Sequence, residues 1–103
     1  MIKLSVLYPN SDGASFDIDY YRAKHLPLIQ QRCAGACTRV AIDEGLGGIA
    51  PGSPAPYIVI GHLYFDSLDS MQTSFGPHMA EAVADIPNFT NVQPTIQISE
   101  VVM

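Results

Sequence analysis

The hydrophobic pattern of the chain switches repeatedly between a period of two and a period near 3.6, and those switches divide it into elements. Ile2, Leu4, Val6 and Tyr8 alternate with Lys3, Ser5 and Leu7, the pattern of a strand buried mainly on one face. Pro9-Asn10-Ser11-Asp12-Gly13 ends it with turn residues. Asp17 then suits a helix N-cap, with Phe16 and Tyr21 placed for a hydrophobic staple around it. Tyr21, His25, Leu28, Ile29 and Arg32 follow at three- and four-residue steps, which predicts one stripe of a helix. Pro27 lies inside that stripe. It has no N–H for the Ala23 carbonyl and costs about 3 kcal/mol in a regular helix interior, so a compensation is expected there.

The helix stops around Gly35, and Thr38 to Asp43 reads as a second strand. The Gly/Pro-rich segment from Gly45 to Pro56 supports neither helix nor ladder and reads as a flap-like loop within one domain. Tyr57 to Phe65 is apolar on both faces, as a central strand should be, and Gly61 inside it marks a bulge or a close approach. Asp66 and Ser67 suit the cap of a second helix carrying Leu68, Met71 and Phe75; Gly76-Pro77 interrupts it, a second piece resumes at His78, and Asp85 to Asn88 ends it. Asn91 to Val102 is the last strand, and Pro94, which cannot donate to a ladder, places it at an edge or bends it there. The order β-α-β-β-α-β predicts an α+β, ferredoxin-like layer with a four-stranded antiparallel sheet in a single domain, residues 1–103. The apolar second face of such a sheet needs a cover, which a second copy packed sheet to sheet would supply.

Composition strengthens that last expectation. Hydrophobic residues make up 48% of the 103 positions and charged residues only 15%, which predicts apolar surface buried against a partner, here a homodimer. Ten acidic against five basic residues give a net charge of −5, the wrong sign for neutralising phosphates, so nucleic acid is not an expected partner. The apolar runs are too short for a membrane span, and the start Met-Ile-Lys-Leu-Ser lacks the features of a signal peptide, so a cytoplasmic location is expected. Cys33 and Cys37 are the only cysteines and read as reduced packing residues.

Chemistry concentrates at His25. An imidazole titrates near about 6.5 and moves protons at neutral pH without extreme tuning. Tyr21, one turn earlier, is placed to orient it or to hold a substrate oxygen. The plainer reading is a histidine packed between helix and sheet with both nitrogens satisfied. Tyr64, His62 and His78 are candidate ligand contacts, the first two sharing a strand face that lines a pocket only if it meets the first helix. The three histidines lack metal-ligand spacing, so no metal and no cofactor is expected.

The runs Tyr8-Pro9-Asn10, Phe16-Asp17-x-Asp19-Tyr20-Tyr21-x-x-x-His25-x-Pro27, Gly61-His62-Leu63-Tyr64-Phe65-Asp66-Ser67 and Ala84-Asp85-Ile86-Pro87-Asn88-Phe89-Thr90-Asn91-x-x-Pro94 resemble the EthD family, named for a protein of ethyl tert-butyl ether degradation. The resemblance implies a dimeric α+β barrel, two ferredoxin-like sheets face to face with helices outside. Relatives on that architecture include cofactor-free monooxygenases, muconolactone-type isomerases and fungal dehydratase- or decarboxylase-like proteins of aromatic polyketides, while the family itself carries no settled reaction. Two expectations follow. One is a cofactor-independent enzyme acting on a small apolar, aromatic or carbonyl-bearing molecule, with His25 as acid/base, Tyr21 and Tyr64 on the oxygen and the Gly45–Pro56 loop excluding water. The other is an accessory protein that binds a hydrophobic metabolite in the same pocket without chemistry.

Overall fold

A computed structural model describes all residues, 1–103. Strands β1 (Ile2–Pro9), β2 (Cys37–Glu44), β3 (Tyr57–Phe65) and β4 (Thr95–Glu100) form one antiparallel sheet in the order β2-β3-β1-β4. The two helical connections lie on one face of it, which gives the ferredoxin-like α+β arrangement that the element order predicts. Leu4, Tyr8, Val59, Leu63 and Phe65 point to the helices and are buried. Leu7, Ile60, His62 and Tyr64 point the other way and remain half-buried, because no helix covers that face. A side chain's face follows from strand parity alone, so adjacent residues such as Gly61 and His62 serve opposite sides of the sheet.

The first helix is not regular. It comprises α1 (Ile18–Tyr20), a π-helical turn (Tyr21–His25) and α2 (Leu26–Arg32). Asp17 caps it through a side-chain oxygen that accepts from the Tyr20 N–H at 3.1 Å, and Phe16 packs edge-on to Tyr21 with ring centroids 5.0 Å apart, as the staple predicts. The Leu26 N–H reaches back five residues to the Tyr21 carbonyl. This wider turn is the compensation for Pro27: it starts a fresh helical segment in which the proline occupies the first turn, where a missing N–H costs least.

The second connection runs α3 (Leu68–Phe75), a 3-10 turn at Gly76–His78, α4 (Met79–Asp85) and another 3-10 turn at Ile86–Asn88. Ser67 caps α3 through its hydroxyl, which accepts from the Ser70 N–H at 3.0 Å. Arg32 on α2 grips Glu81 on α4 with two hydrogen bonds of 2.8 and 3.1 Å, fixing the two helices side by side.

Strand β4 is an edge, as expected, but it begins only at Thr95, so Pro94 lies outside the ladder. Residues 91–94 serve elsewhere: the Asn91 side chain accepts from the Ser15 N–H at 2.9 Å and donates to the Gly13 carbonyl at 2.9 Å. Cys33 and Cys37 are free and buried, and burial pushes both thiols up, keeping them protonated. No helix is long and apolar enough to cross a membrane.

Candidate functional site

The π-helical turn carries Tyr21 and His25 at its two ends, and both are buried against the sheet. Their rings stack at 5.3 Å with only 16° between planes, and the Phe89 ring packs against both, 4.6 Å from the imidazole and 5.0 Å from the Tyr21 ring. The Tyr21 hydroxyl lies against Gly61, so closely that a Cβ on that residue would run into it. This is why β3 has a glycine in an otherwise large apolar run. The close approach read from the sequence is therefore made by the first helix.

His25 is held by a carboxylate from the other end of the chain. Its Nδ1 lies 2.9 Å from Asp85 Oδ2, while Asp85 Oδ1 accepts from the Tyr20 hydroxyl at 2.7 Å and from Asn88 Nδ2 at 2.9 Å. Burial works to raise the Asp85 carboxyl, but the hydrogen bonds from Asn88, His25 and Tyr20 outweigh it and hold the group below its usual range. Asp85 is thus an anion at neutral pH and can only accept, so His25 Nδ1 carries a proton and donates it. Burial also lowers the His25 pKa below the ordinary imidazole value, more than Asp85 raises it. The neutral form therefore prevails, with the lone pair on Nε2. The hydrogen bond to Asp85 in turn raises the Tyr20 pKa and keeps that phenol a donor.

No protein group hydrogen-bonds Nε2, and no fully enclosed polar side-chain atom is left without a partner. The imidazole instead opens on a small cavity of about 40 Å³ between the helices and the sheet. Leu4, Val6, Leu63, Phe75 and Ala82 supply much of its wall, and the only polar side chains lining it are His25, Tyr21 and Tyr8. Burial pushes Tyr21 up to about 12, with a hydrogen bond from Tyr8 acting in the opposite direction, and burial raises Tyr8 as well. Both phenols are neutral donors at ordinary pH. Met79, Val83 and Ile96 line the cavity yet are half exposed, so they form its mouth. Val83, Ile86 and Ile96 continue from there into an open groove of about 450 Å³, which Thr90, Asn91 and Gln93 make more polar.

The other candidate residues lie elsewhere. His62 and Tyr64 occupy the uncovered face of the sheet, which does not meet the first helix, and neither lines the cavity. His62 is engaged at both nitrogens, by Ser5 Oγ at 3.1 Å and Asp43 Oδ2 at 2.8 Å, and Arg39 stacks over Tyr64 at 5.2 Å. His78 sits half-buried on the 3-10 turn and takes no part in the cavity wall. The loop from Gly45 to Pro56 contributes no lining residue either. No three His, Cys, Asp or Glu side chains converge in a way that would hold a metal ion.

The residue whose role sequence reasoning missed is Asp85, which it used as a helix end and as part of the EthD-like run but not as a partner for His25. A signal was present. An acidic side chain at the last position of a helix opposes the macrodipole, so its placement there calls for a cationic or hydrogen-bonding partner.

The fold and this site together define a ferredoxin-like α+β protein with a carboxylate-held histidine facing an apolar cavity. The chain belongs to the EthD family: the model of the EthD domain matches residues 13–93. It is similar to an EthD-like protein of Ralstonia eutropha JMP134, whose crystal structure superposes with a TM-score of 0.92 at 37% identity over 99% of this chain and 92% of that one. An EthD family protein of Bacillus halodurans C-125 shares the fold at a TM-score of 0.67 and 18% identity, with 99% of each chain covered. An uncharacterised 11.0 kDa protein from the thcB–thcC intergenic region of Rhodococcus erythropolis is 30% identical over 99 residues, 88% of this chain and 85% of that protein.

Proposed function

We propose that the protein is a cofactor-independent proton-transfer enzyme acting on a small, apolar, carbonyl-bearing or aromatic molecule, with His25 as the general base. One observation carries this reading: Asp85 holds Nδ1 and leaves a neutral imidazole, its Nε2 without a protein partner, in the wall of an apolar cavity. A histidine kept only for packing would have both nitrogens satisfied. In the proposed reaction Nε2 takes a proton from the carbon next to the carbonyl. The electron pair of the broken C–H bond moves onto the carbonyl oxygen, and the imidazolium that forms is stabilised by Asp85. Tyr21, stacked on the imidazole and neutral, donates to the developing oxyanion. Return of the proton to the same or a conjugated carbon completes an exchange or an isomerisation.

At about 40 Å³ the cavity is well below the roughly 150 Å³ of a cavity that admits benzene. A substrate therefore displaces the Met79 and Val83 side chains at the mouth and leaves its more polar part in the groove beside Thr90, Asn91 and Gln93. The working form is a homodimer, because Leu7, Ile60 and Tyr64 present an apolar strip on the uncovered sheet face.

The test is wash-in of solvent deuterium at the carbon next to the carbonyl, followed by NMR over a panel of small aryl ketones. The wild-type protein is expected to exchange at least one, and His25→Ala to lose that exchange while keeping its fold. Exchange that survives His25→Ala would remove the proposed base. Ligand-induced shifts without any exchange would leave the accessory binding reading in its place.

A further inference from the structure

The Gly45–Pro56 loop between β2 and β3, expected to exclude water, stands away from the cavity of its own chain and carries Leu46 and Ile49 fully exposed. It is a braced arm. Gly48 N–H donates to the Ser53 carbonyl at 3.0 Å, and the Ser53 hydroxyl donates to the Ala50 carbonyl at 2.7 Å. At its base Asn10 donates to Ala55 O through its side chain and to Pro56 O through its backbone, both at 3.0 Å. Two large aliphatic side chains held in water by an ordered arm mark a contact surface. A second such surface lies at the cavity mouth, where Met79, Val83 and Ile96 are half exposed and Ile98 extends the strip along β4. One chain cannot join the two, because the stalk on β2 and the mouth at β4 are three strand spacings apart, about 14 Å.

A second copy joins them. Two sheets stacked on their uncovered faces about an axis parallel to the strands run in opposite order, so β2 of one copy lies over β4 of the other. Such an axis preserves strand direction, which decides the end at which they meet. The arm leaves the sheet beside Val59, which pairs with Tyr8, and the mouth begins at Thr95, which pairs with Leu7. Arm and partner mouth therefore fall at the same level along the strands, and since Ile96 and Ile98 pair with Val6 and Leu4 on the helix-covered face, the arm meets them around the open edge of β4.

We propose that in the homodimer the Leu46–Ile49 arm of each copy closes the mouth of the partner's His25 cavity, so that each site is completed in trans. The inference rests on the homodimer and on the cavity described above, and it identifies what excludes water from Nε2.

Cross-linking tests it. Ile49→Cys chains are mixed with size-tagged Ile96→Cys chains and treated with a short bis-maleimide, the buried native thiols being poor competitors. A covalent heterodimer is expected from that mixture and neither from either variant alone nor from Ile49→Cys mixed with Lys24→Cys, which places the thiol on the exposed side of the first helix. In parallel, Leu46→Ser/Ile49→Ser alters only fully exposed side chains. It should leave a dimer by light scattering and raise the fluorescence of the apolar dye anilinonaphthalene sulfonate several-fold, as the mouth is uncovered. A dimer that gives no cross-link, an equal yield with Lys24→Cys, or unchanged dye fluorescence overturns the arm while sparing the homodimer. A monomer at micromolar concentration overturns both, and none of these outcomes depends on the deuterium assay.

Discussion

The protein contains two histidine–aspartate pairs of almost the same length, and the sheet lies between them. His25 meets Asp85 at 2.9 Å under the helices, and His62 meets Asp43 at 2.8 Å on the uncovered face. The difference is in what surrounds them. The side chains of His25 and Asp85 are 5% and 15% exposed, whereas Asp43 is 64% exposed, and Ser5 occupies the second nitrogen of His62. A carboxylate partner alone therefore does not make a base. It has to be joined by burial, which keeps the imidazole neutral, and by a vacant nitrogen that faces space a substrate can enter.

The strongest break of this comparison is His25→Ala. Loss of a positioned general base lowers the deuterium exchange rate by about 10²- to 10⁴-fold, measured on whichever ketone the wild type turns over. Next comes Asp85→Asn, which leaves the imidazole in place but removes the anion that fixes its tautomer. Exchange should fall roughly 10- to 100-fold, the lower range of acid–base effects. Because Asp85 raises the His25 pKa, the variant should also move the low-pH limb of the rate profile further toward acid. A merely structural Asp85 would change stability without moving that limb.

The pH dependence of the wild type has a defined sign. The folded-state pKa of His25 is depressed by burial, so the active neutral form persists at neutral pH. Activity should fall as pH drops through a midpoint below the ordinary value of about 6.5. Stability follows the same direction: the unfolded chain binds the proton first, so the contribution from His25 is complete above about 6.5 and is lost between that value and the lower folded-state pKa. Urea unfolding at pH 7 and pH 5 measures this, and equal midpoints would show that the imidazole is not depressed.

The sheet, its order of elements and the capped helix were legible because strand parity, helix spacing, caps and turn residues are local properties. Asp17, Phe16 and Tyr21 announced the helix start, and Gly61 announced a close approach. Two features of the site were not legible for the same reason. The π-helical turn arises from a competition between Pro27 and the packing of Tyr21 and His25, which no single periodicity expresses. The His25–Asp85 pair spans 60 positions, and only the packing of α4 beside α2 brings it together. His62 and Tyr64 show the complementary limit, since parity placed them on one face but could not say which face the helices would cover.

Gly61→Ala sharpens the comparison from the boundary between the two sides. The new methyl meets the Tyr21 hydroxyl, and overpacking of this kind costs about 1 to 3 kcal/mol, read from the unfolding midpoint. Movement of Tyr21 also disturbs its stack on His25, so exchange should fall more than the stability loss alone explains. A fully stable variant with normal exchange would mean that Tyr21 is not held where its hydroxyl can serve the oxyanion.

The smallest expected effect comes from the next residue. His62→Gln keeps a donor for Asp43 and an acceptor for Ser5 while removing an ionisable group, and its partner is too exposed to contribute more than about 1 kcal/mol. Exchange should stay within about twofold of wild type when measured well above the dissociation constant of the proposed dimer, which separates any weakening of the proposed sheet-to-sheet contact from an effect on chemistry. A loss approaching that of His25→Ala would place the uncovered face inside the reaction. The unpaired nitrogen under the helices would then no longer be what distinguishes the two histidines.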